Sequence, residues 1–373
     1  MNSSKRQSSA RQSDHQSPIV NLALQGGGSH GAFTWGVLDA LLEDGRLELE
    51  GISGTSAGAM NAVALAQGFA KAEQTIKGDP REAARESLAC FWDGIIGMGA
   101  LSEAQRAPFD VLFGKMGGIN SPASLWTSAM TSFWSQTMSP YQSNPFDINP
   151  LRQFLQEQVD FDRLARLNKL KVFVVATRVS TGKAEVFSGK RLSVDAVMAS
   201  ACLPMMFRAV EIEGDHFWDG GYSGNPAIHP LIYSCNSSDI VLVQINPIKR
   251  DKLPTTGAEI MDRMNEITFN AGLIAEMRAI DFVKRLLAEG KLDAKSYKNI
   301  LMHRIDGGEV LEEQGAATKT SVSAGLIHGL RDLGRASAKA WLATHFSALS
   351  VESTVNIARD YLDDMRVPVS SRS

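Results

Sequence analysis

The sequence predicts an α/β fold, a mainly parallel sheet flanked by helices. Three observations carry this expectation. Short apolar runs recur along the chain, helical stretches alternate with them, and glycine-rich turns sit where the two meet. At 373 residues, 44% hydrophobic and 21% charged, the chain can bury a sizeable core as one large domain or as two to three smaller ones.

The elements follow in order. Pro18–Leu24 (PIVNLAL) reads as a buried strand entering a glycine loop, Gln25-Gly26-Gly27-Gly28. From Gly31 to Asp44, spacing at Thr34, Val37, Leu38, Leu41 and Leu42 marks an amphipathic helix, and Gly45 stops it. Leu47–Ile52 is a second strand. Ser56–Gln67 is an alanine-rich helix closed by Gly68, and 81–96 is another helix. From about Gly97 to Asn149 no period is sustained, so an irregular insertion is expected there. Asn149-Pro150 caps a helix running to about Gln158. Leu170–Val179 is a strong strand, Ser180–Lys183 a turn and Ala184–Phe187 the returning strand. Val194–Cys202 is a short helix stopped by Pro204. Val210–Trp218 reads as a hairpin around Glu213-Gly214-Asp215, and Asp239–Ile245 as another buried strand. Beyond Gly257 the pattern is mostly helical, with one strand at Ile300–Ile305.

The bulk numbers narrow the class. A formal net charge of −3 gives no reason to expect nucleic acid as a partner. Cys90, Cys202 and Cys235 form neither a C-x-x-C pair nor an even set, so they read as reduced thiols of a cytoplasmic protein and no metal site is expected from them. Residues 1–17 are polar and serine-rich, lack the apolar core of a secretory signal, and read as a disordered tail. No run of 18 apolar residues appears, so no membrane span is expected.

Chemistry concentrates in three places. The first is Gly54-Thr55-Ser56-Ala57-Gly58, a G-x-S-x-G at a strand-to-helix junction. That context suits a nucleophile on a strained turn, and Ser56 could equally be a helix cap. The second is Gly26 to Gly31, which also fits G-x-G-x-x-G between a strand and a helix, with Glu48 or Glu50 about where a ribose-binding acid belongs. Against a dinucleotide site, the second strand ends in another glycine-framed turn. Both loops would instead bring backbone N–H groups and helix N-termini to one sheet edge, where they stabilise an oxyanion. The third is Trp218-Asp219-Gly220-Gly221. Asp219 beside bulky aromatics is a candidate base with a raised pKa, or an ordinary Asp-Gly turn. Among the histidines, His30 in the glycine loop and His216 near Asp219 stay open as partners.

Taken together, Gln25-Gly26-Gly27-Gly28-Ser29-His30-Gly31, Gly54-Thr55-Ser56-Ala57-Gly58 and Asp219-Gly220-Gly221 resemble the patatin-like phospholipases. Ala199–Phe207 (ASACLPMMF) and Asn225-Pro226 look like that family too. The resemblance covers about 20–230. It implies a patatin-like three-layer sandwich as the catalytic domain at 18–230, with the insertion at about 97–149. Residues 231–373 are expected as a mostly helical extension packed on it.

The resemblance further implies a Ser56–Asp219 dyad without a catalytic histidine, framed by Gly54 and Gly58 and supported by Gly31, Gly220 and Gly221. The backbone of Gly26, Gly27 and Gly28 would be the oxyanion hole. The implied activity is acyl-ester hydrolysis on lipids through an acyl-enzyme, with no cofactor and no metal. A transacylase or storage-polyester esterase would use the same dyad. The family often carries Arg or Lys near the glycine loop, where this chain has Ser29 and His30. The expected partner is a lipid or acyl-ester substrate, met in the cytoplasm or peripherally at the inner membrane surface. The insertion holds Phe109, Phe113, Trp126, Phe133, Trp134, Tyr141 and Phe146 with Met116, Met130 and Met138. It reads either as packing over part of the core or as a cover over the acyl site that meets the lipid.

Overall fold

The computed structural model describes residues 17–73, 78–116, 139–143, 147, 149–312, 316–319 and 321–363. Among them, eight strands form one sheet: β1 (Ile19–Leu24), β2 (Glu48–Thr55), β3 (Lys171–Arg178), β4 (Ala184–Ser188), β5 (Val210–Ile212), β6 (Asp215–Asp219), β7 (Asp239–Gln244) and β8 (Leu301–Asp306). The order is β5-β6-β3-β2-β1-β7-β8, with β4 also paired to β3. From β3 through β8 the neighbours run parallel; β4, β5 and β6 are antiparallel. The longer helices are α1 (Gly31–Asp44), α2 (Ala57–Ala72), α3 (Pro80–Met116), α4 (Pro150–Gln158), α5 (Val194–Ser200), α6 (His229–Ser234), α7 (Gly257–Ala288), α8 (Ala324–His345) and α9 (Ile357–Leu362).

Side chains alternate across the central strands, and both faces are covered. Leu22, Leu24, Ile52, Val174, Val241 and Val243 pack with α1, α2, α3, α5 and α8. Ala23, Phe173, Ile240, Leu242 and Met302 pack on the other side with α6, α7 and α9. This is why the strands read as near-continuous apolar runs rather than as half-polar ones. The result is three layers, helices–sheet–helices. Among the described residues no helix is long and apolar enough to cross a membrane.

Local signals set several ends. Gly45 closes α1 in the left-handed region at φ 72°. The Asn149 side chain accepts the Leu151 N–H at the start of α4, with Pro150 in the first turn. Glu213 and Gly214, both at positive φ, turn β5 into β6.

Two expectations change. Helix α3 does not stop near Gly97 but runs on to Met116. The glycines there look like breakers, yet at Gly99 a Cβ would run into the Val322 side chain, so this glycine serves close packing. Nor does the chain divide near residue 230. β7, with every residue buried, pairs directly with β1, and β8 pairs with β7, so the C-terminal part completes the sheet. The expected tail, but for Ser17, lies outside the described residues. So do Trp126, Met130, Phe133, Trp134, Met138 and Phe146 of the apolar insertion.

Candidate active site

β2 runs three residues past the expected end at Ile52, so Gly54 and Thr55 are strand and Ser56 is the first residue beyond it. Ser56 sits at φ 53°, ψ −120°, a left-handed conformation for a side chain with a Cβ. Such a backbone costs on the order of 1–3 kcal/mol and persists where its surroundings hold it. Here the Ser56 N–H donates to Ser200 Oγ at 2.8 Å, and its C=O accepts the Met60 N–H at 3.1 Å. The framing glycines make the turn possible. A Cβ on Gly54 would stand 2.5 Å from the Gly58 oxygen, and one on Gly58 would overlap the Leu24 carbonyl. The Ser56 side chain makes no cap bond to α2. Its hydroxyl lies near the carboxyl of Asp219 instead and acts to lower that group's pKa.

Sheet topology brings Asp219 there. β2 leaves β3 at the Thr55–Val175 pair. β4 occupies the other edge of β3 from Phe173 to Thr177. β6 therefore takes the edge that β2 vacates, and its last pair is Asp219 with Ala176, the residue after Val175. Asp219 thus lies end-on to Thr55 and beside Ser56. Gly220 can follow it because there is no Cβ to strike the Val175 carbonyl. Asp219 is fully buried, and its Oδ1 accepts the Gly221 N–H at 2.7 Å. Burial raises its carboxyl to about 7, against the opposing pull of the Gly221 N–H and the Ser56 hydroxyl.

The glycine loop lies against the same serine. A Cβ on Gly26 would stand 2.7 Å from Ser56 Cβ. The Gly26 N–H, expected in the oxyanion hole, is already engaged, donating to Asn225 Oδ1 at 2.6 Å. The Gly27 and Gly28 N–H groups have no acceptor among the described residues. Gly28 is at φ 59°, with the Lys319 carbonyl where its Cβ would be. Gly31 lets α1 start close to α2, since its Cβ would meet Ala57 Cβ at 2.6 Å. A Cβ on Gly221 would stand 2.9 Å from the Phe269 ring.

Buried amides hold the loop. Gln25 Oε1 accepts the Ile245 and Asn246 N–H groups, both at 2.9 Å, while its Nε2 donates to Asn225 O at 3.2 Å and Asn270 Oδ1 at 3.3 Å. Asn246 Nδ2 donates to Gly26 O at 2.7 Å. Gln25, Ser200 and Asn225 are visible in the sequence as parts of motifs, but nothing local assigns them these bonds. Asn246 and Lys319 carry no motif at all.

Neither open histidine joins the pair. His30 bonds Thr318 Oγ1 at 2.7 Å, and burial, with Lys319 and Arg250 nearby, lowers it to about 4. It is neutral at pH 7 and adds no cation to the loop. His216 faces Glu211 across the exposed hairpin, and three residues along a strand from Asp219 it points to the opposite face. The dinucleotide alternative fails on register. Glu48 pairs with Ile19 at the start of β1, the far end of the sheet from the loop, and Glu50 is held there by Lys171 and the Asn236 and Ser237 N–H groups. No group of three or more His, Cys, Asp or Glu among the described residues could hold a metal ion.

The surroundings are apolar. Met205 and Met206 are exposed on the segment after α5, whose Cys202 carbonyl accepts the Asp219 N–H at 2.8 Å. Tyr222 packs edge-on to Phe269 of α7, and Met264 and Ile267, five and two residues before Phe269 on the same helix, are exposed on its outward side.

A family model described as patatin-like phospholipase matches residues 22–232. No curated protein matches the chain. Among solved structures, it is similar to VipD from Legionella pneumophila, at 16% identity and a TM-score of 0.40, over 93% of this chain and 73% of that one. It is also similar to the heterodimeric ExoU–SpcU complex from the type III secretion system of Pseudomonas aeruginosa, at 20% identity and 0.33, over 90% of this chain and 61% of that one.

Proposed function

This chain belongs to the patatin-like phospholipase family, and on that premise we propose that it hydrolyses acyl esters of lipids, with Ser56 as nucleophile and Asp219 as general base. One observation carries the proposal: a serine held at positive φ stands beside a fully buried aspartate, and burial raises that carboxyl to about 7. A base of that strength is matched to neutral pH.

Ser56 Oγ attacks the ester carbonyl carbon while Asp219 takes its proton. The tetrahedral oxyanion faces the Gly27 and Gly28 N–H groups and the N-terminus of α2. As the intermediate collapses, the alcohol leaves with the proton from Asp219 and Ser56 holds the acyl group. Asp219 then deprotonates a water, which attacks the acyl carbonyl; the fatty acid departs and Ser56 regains its proton. The exposed apolar side chains of Met205, Met206 and Tyr222, with Met264 and Ile267 on the outward face of α7, would meet the lipid surface, a peripheral contact.

The test is fluorophosphonate labelling with ester hydrolysis. The expected result is one label on Ser56 and none in Ser56→Ala. An unlabelled, inactive wild type would refute the proposal.

A further inference from the structure

We propose that Lys319 is a positioning residue for this reaction, acting through Asn246 on the Gly26–Gly27 peptide of the glycine loop. The inference rests on the hydrolase reading above and deepens it. Lys319 ends the helical turn Ala316–Lys319, far outside the matched stretch 22–232. Its Nζ donates to Asn246 Oδ1 at 2.9 Å, and Asn246 Nδ2 donates to Gly26 O at 2.7 Å.

The Gly26 C=O and the Gly27 N–H are the two ends of one conjugated peptide unit. A donor on that carbonyl draws electron density toward oxygen and leaves the N–H more positive. A cation at the head of the chain strengthens the effect, because serial hydrogen bonds polarise one another in a low-dielectric interior. The same bonds fix the peptide plane, with the Gly26 N–H anchored on Asn225 from the other side. Lys319 also holds the next residue, since its own carbonyl occupies the space beside the Gly28 Cα. Backbone and side chain of one residue therefore set both units of the loop.

The charge has reason to come from here. Ser29 and His30 follow Gly28, and His30 is neutral at pH 7. Arg250 is engaged with Glu266 at 2.6 Å. Burial lowers the Lys319 ammonium, and Glu266 acts against that. The C-terminal chain thus supplies the cation that the loop's own sequence lacks.

The experiment compares Lys319→Met, Lys319→Arg and Asn246→Ala in the full chain on a soluble short-chain ester. Lys319→Met should lower kcat roughly tenfold, less than loss of a direct oxyanion donor, with KM within about twofold. Its melting temperature should stay near wild type, and Ser56 labelling by a fluorophosphonate should slow by the same factor. Lys319→Arg should recover most of kcat. Asn246→Ala should show a similar loss, and combining it with Lys319→Met should add little, since both break one relay. Should Lys319→Met not fold, Lys319→Gln is held to the same kcat loss. An unchanged kcat, a loss carried wholly in KM, or fully additive losses would overturn the proposal. An active wild type matched by Lys319→Met removes this proposal alone; an inactive, unlabelled wild type removes the hydrolase reading, and this one with it.

Discussion

Asp219 lies beside Ser56 because β6 takes over the edge of β3 one residue after β2 leaves it: Thr55 pairs with Val175, and Asp219 with Ala176. Two residues remote in sequence share one strand edge. In the proposed mechanism the pair is a unit, with the Ser56 hydroxyl near enough to the carboxyl to lower its pKa. Groups that act as a unit are not additive. Ser56→Ala, Asp219→Asn and the double variant should all fall to the same residual esterase rate, at least about a thousandfold below wild type. Circular dichroism should show all three folded. If Asp219→Asn kept more than about a tenth of the activity, Asp219 would not be the base.

Much of this was legible in the sequence, and for a physical reason. Parallel strands buried on both faces must be apolar throughout, so β1, β3 and β7 announce themselves. Turns that need close backbone approach must be glycine, so Gly54, Gly58 and Gly26 to Gly28 do too. What escaped was non-local. Helix α3 runs past Gly99, a glycine that leaves room for Val322, more than two hundred positions on. The Gly26 N–H is lost to the oxyanion hole because Asn225 reaches it. Lys319 lies in a segment with no motif, and only the folded chain brings it to the loop.

The pKa of Asp219 ties activity to stability with opposite signs. Its folded value is about 7, raised by burial, against an unfolded value of about 3.9. Deprotonation switches the base on, so kcat/KM should rise with pH and reach half its plateau near 7. Between about 4 and 7 the native state holds a proton that the unfolded chain has released. Stability from this group is therefore full below about 4 and is lost as pH rises through 7. Asp219→Asn lacks the titration. At pH 8 it should be more stable than wild type by on the order of 4 kcal/mol, with the gap closing toward pH 4. Denaturant melts at both pH values check this, and a gap that widened on acidification would contradict the assignment.

Gly27 and Gly28 should separate catalysis from folding. A Cβ on Gly27 meets the flexible end of Ile245 at 2.8 Å, which can move aside. Gly27→Ala should fold near wild type and lose roughly a hundredfold in kcat with little change in KM, since it disturbs an oxyanion donor. Gly28→Ala meets the Lys319 carbonyl and must hold φ near 59°. It should lose both activity and several degrees of melting temperature. A Gly27→Ala variant with only a raised KM would mean that the loop binds substrate rather than the oxyanion.

The exposed apolar face of α7 should matter for lipid and not for chemistry. Met264 and Ile267 are 56% and 55% exposed and three residues apart on α7, so they share one outward face of the helix that carries Phe269. Exposed apolar side chains contribute little to folding, and replacing them costs little stability. Inserted into a bilayer, each would add roughly 1.5–3 kcal/mol of binding. Met264→Glu with Ile267→Glu should therefore leave hydrolysis of a soluble short-chain ester near wild type. Hydrolysis of phospholipid vesicles should fall at least about tenfold, and co-sedimentation with vesicles should fall with it. Because neither residue touches Ser56 or Asp219, equal losses on both substrates would place the defect in the fold. Full vesicle activity would mean that the protein meets lipid through another surface.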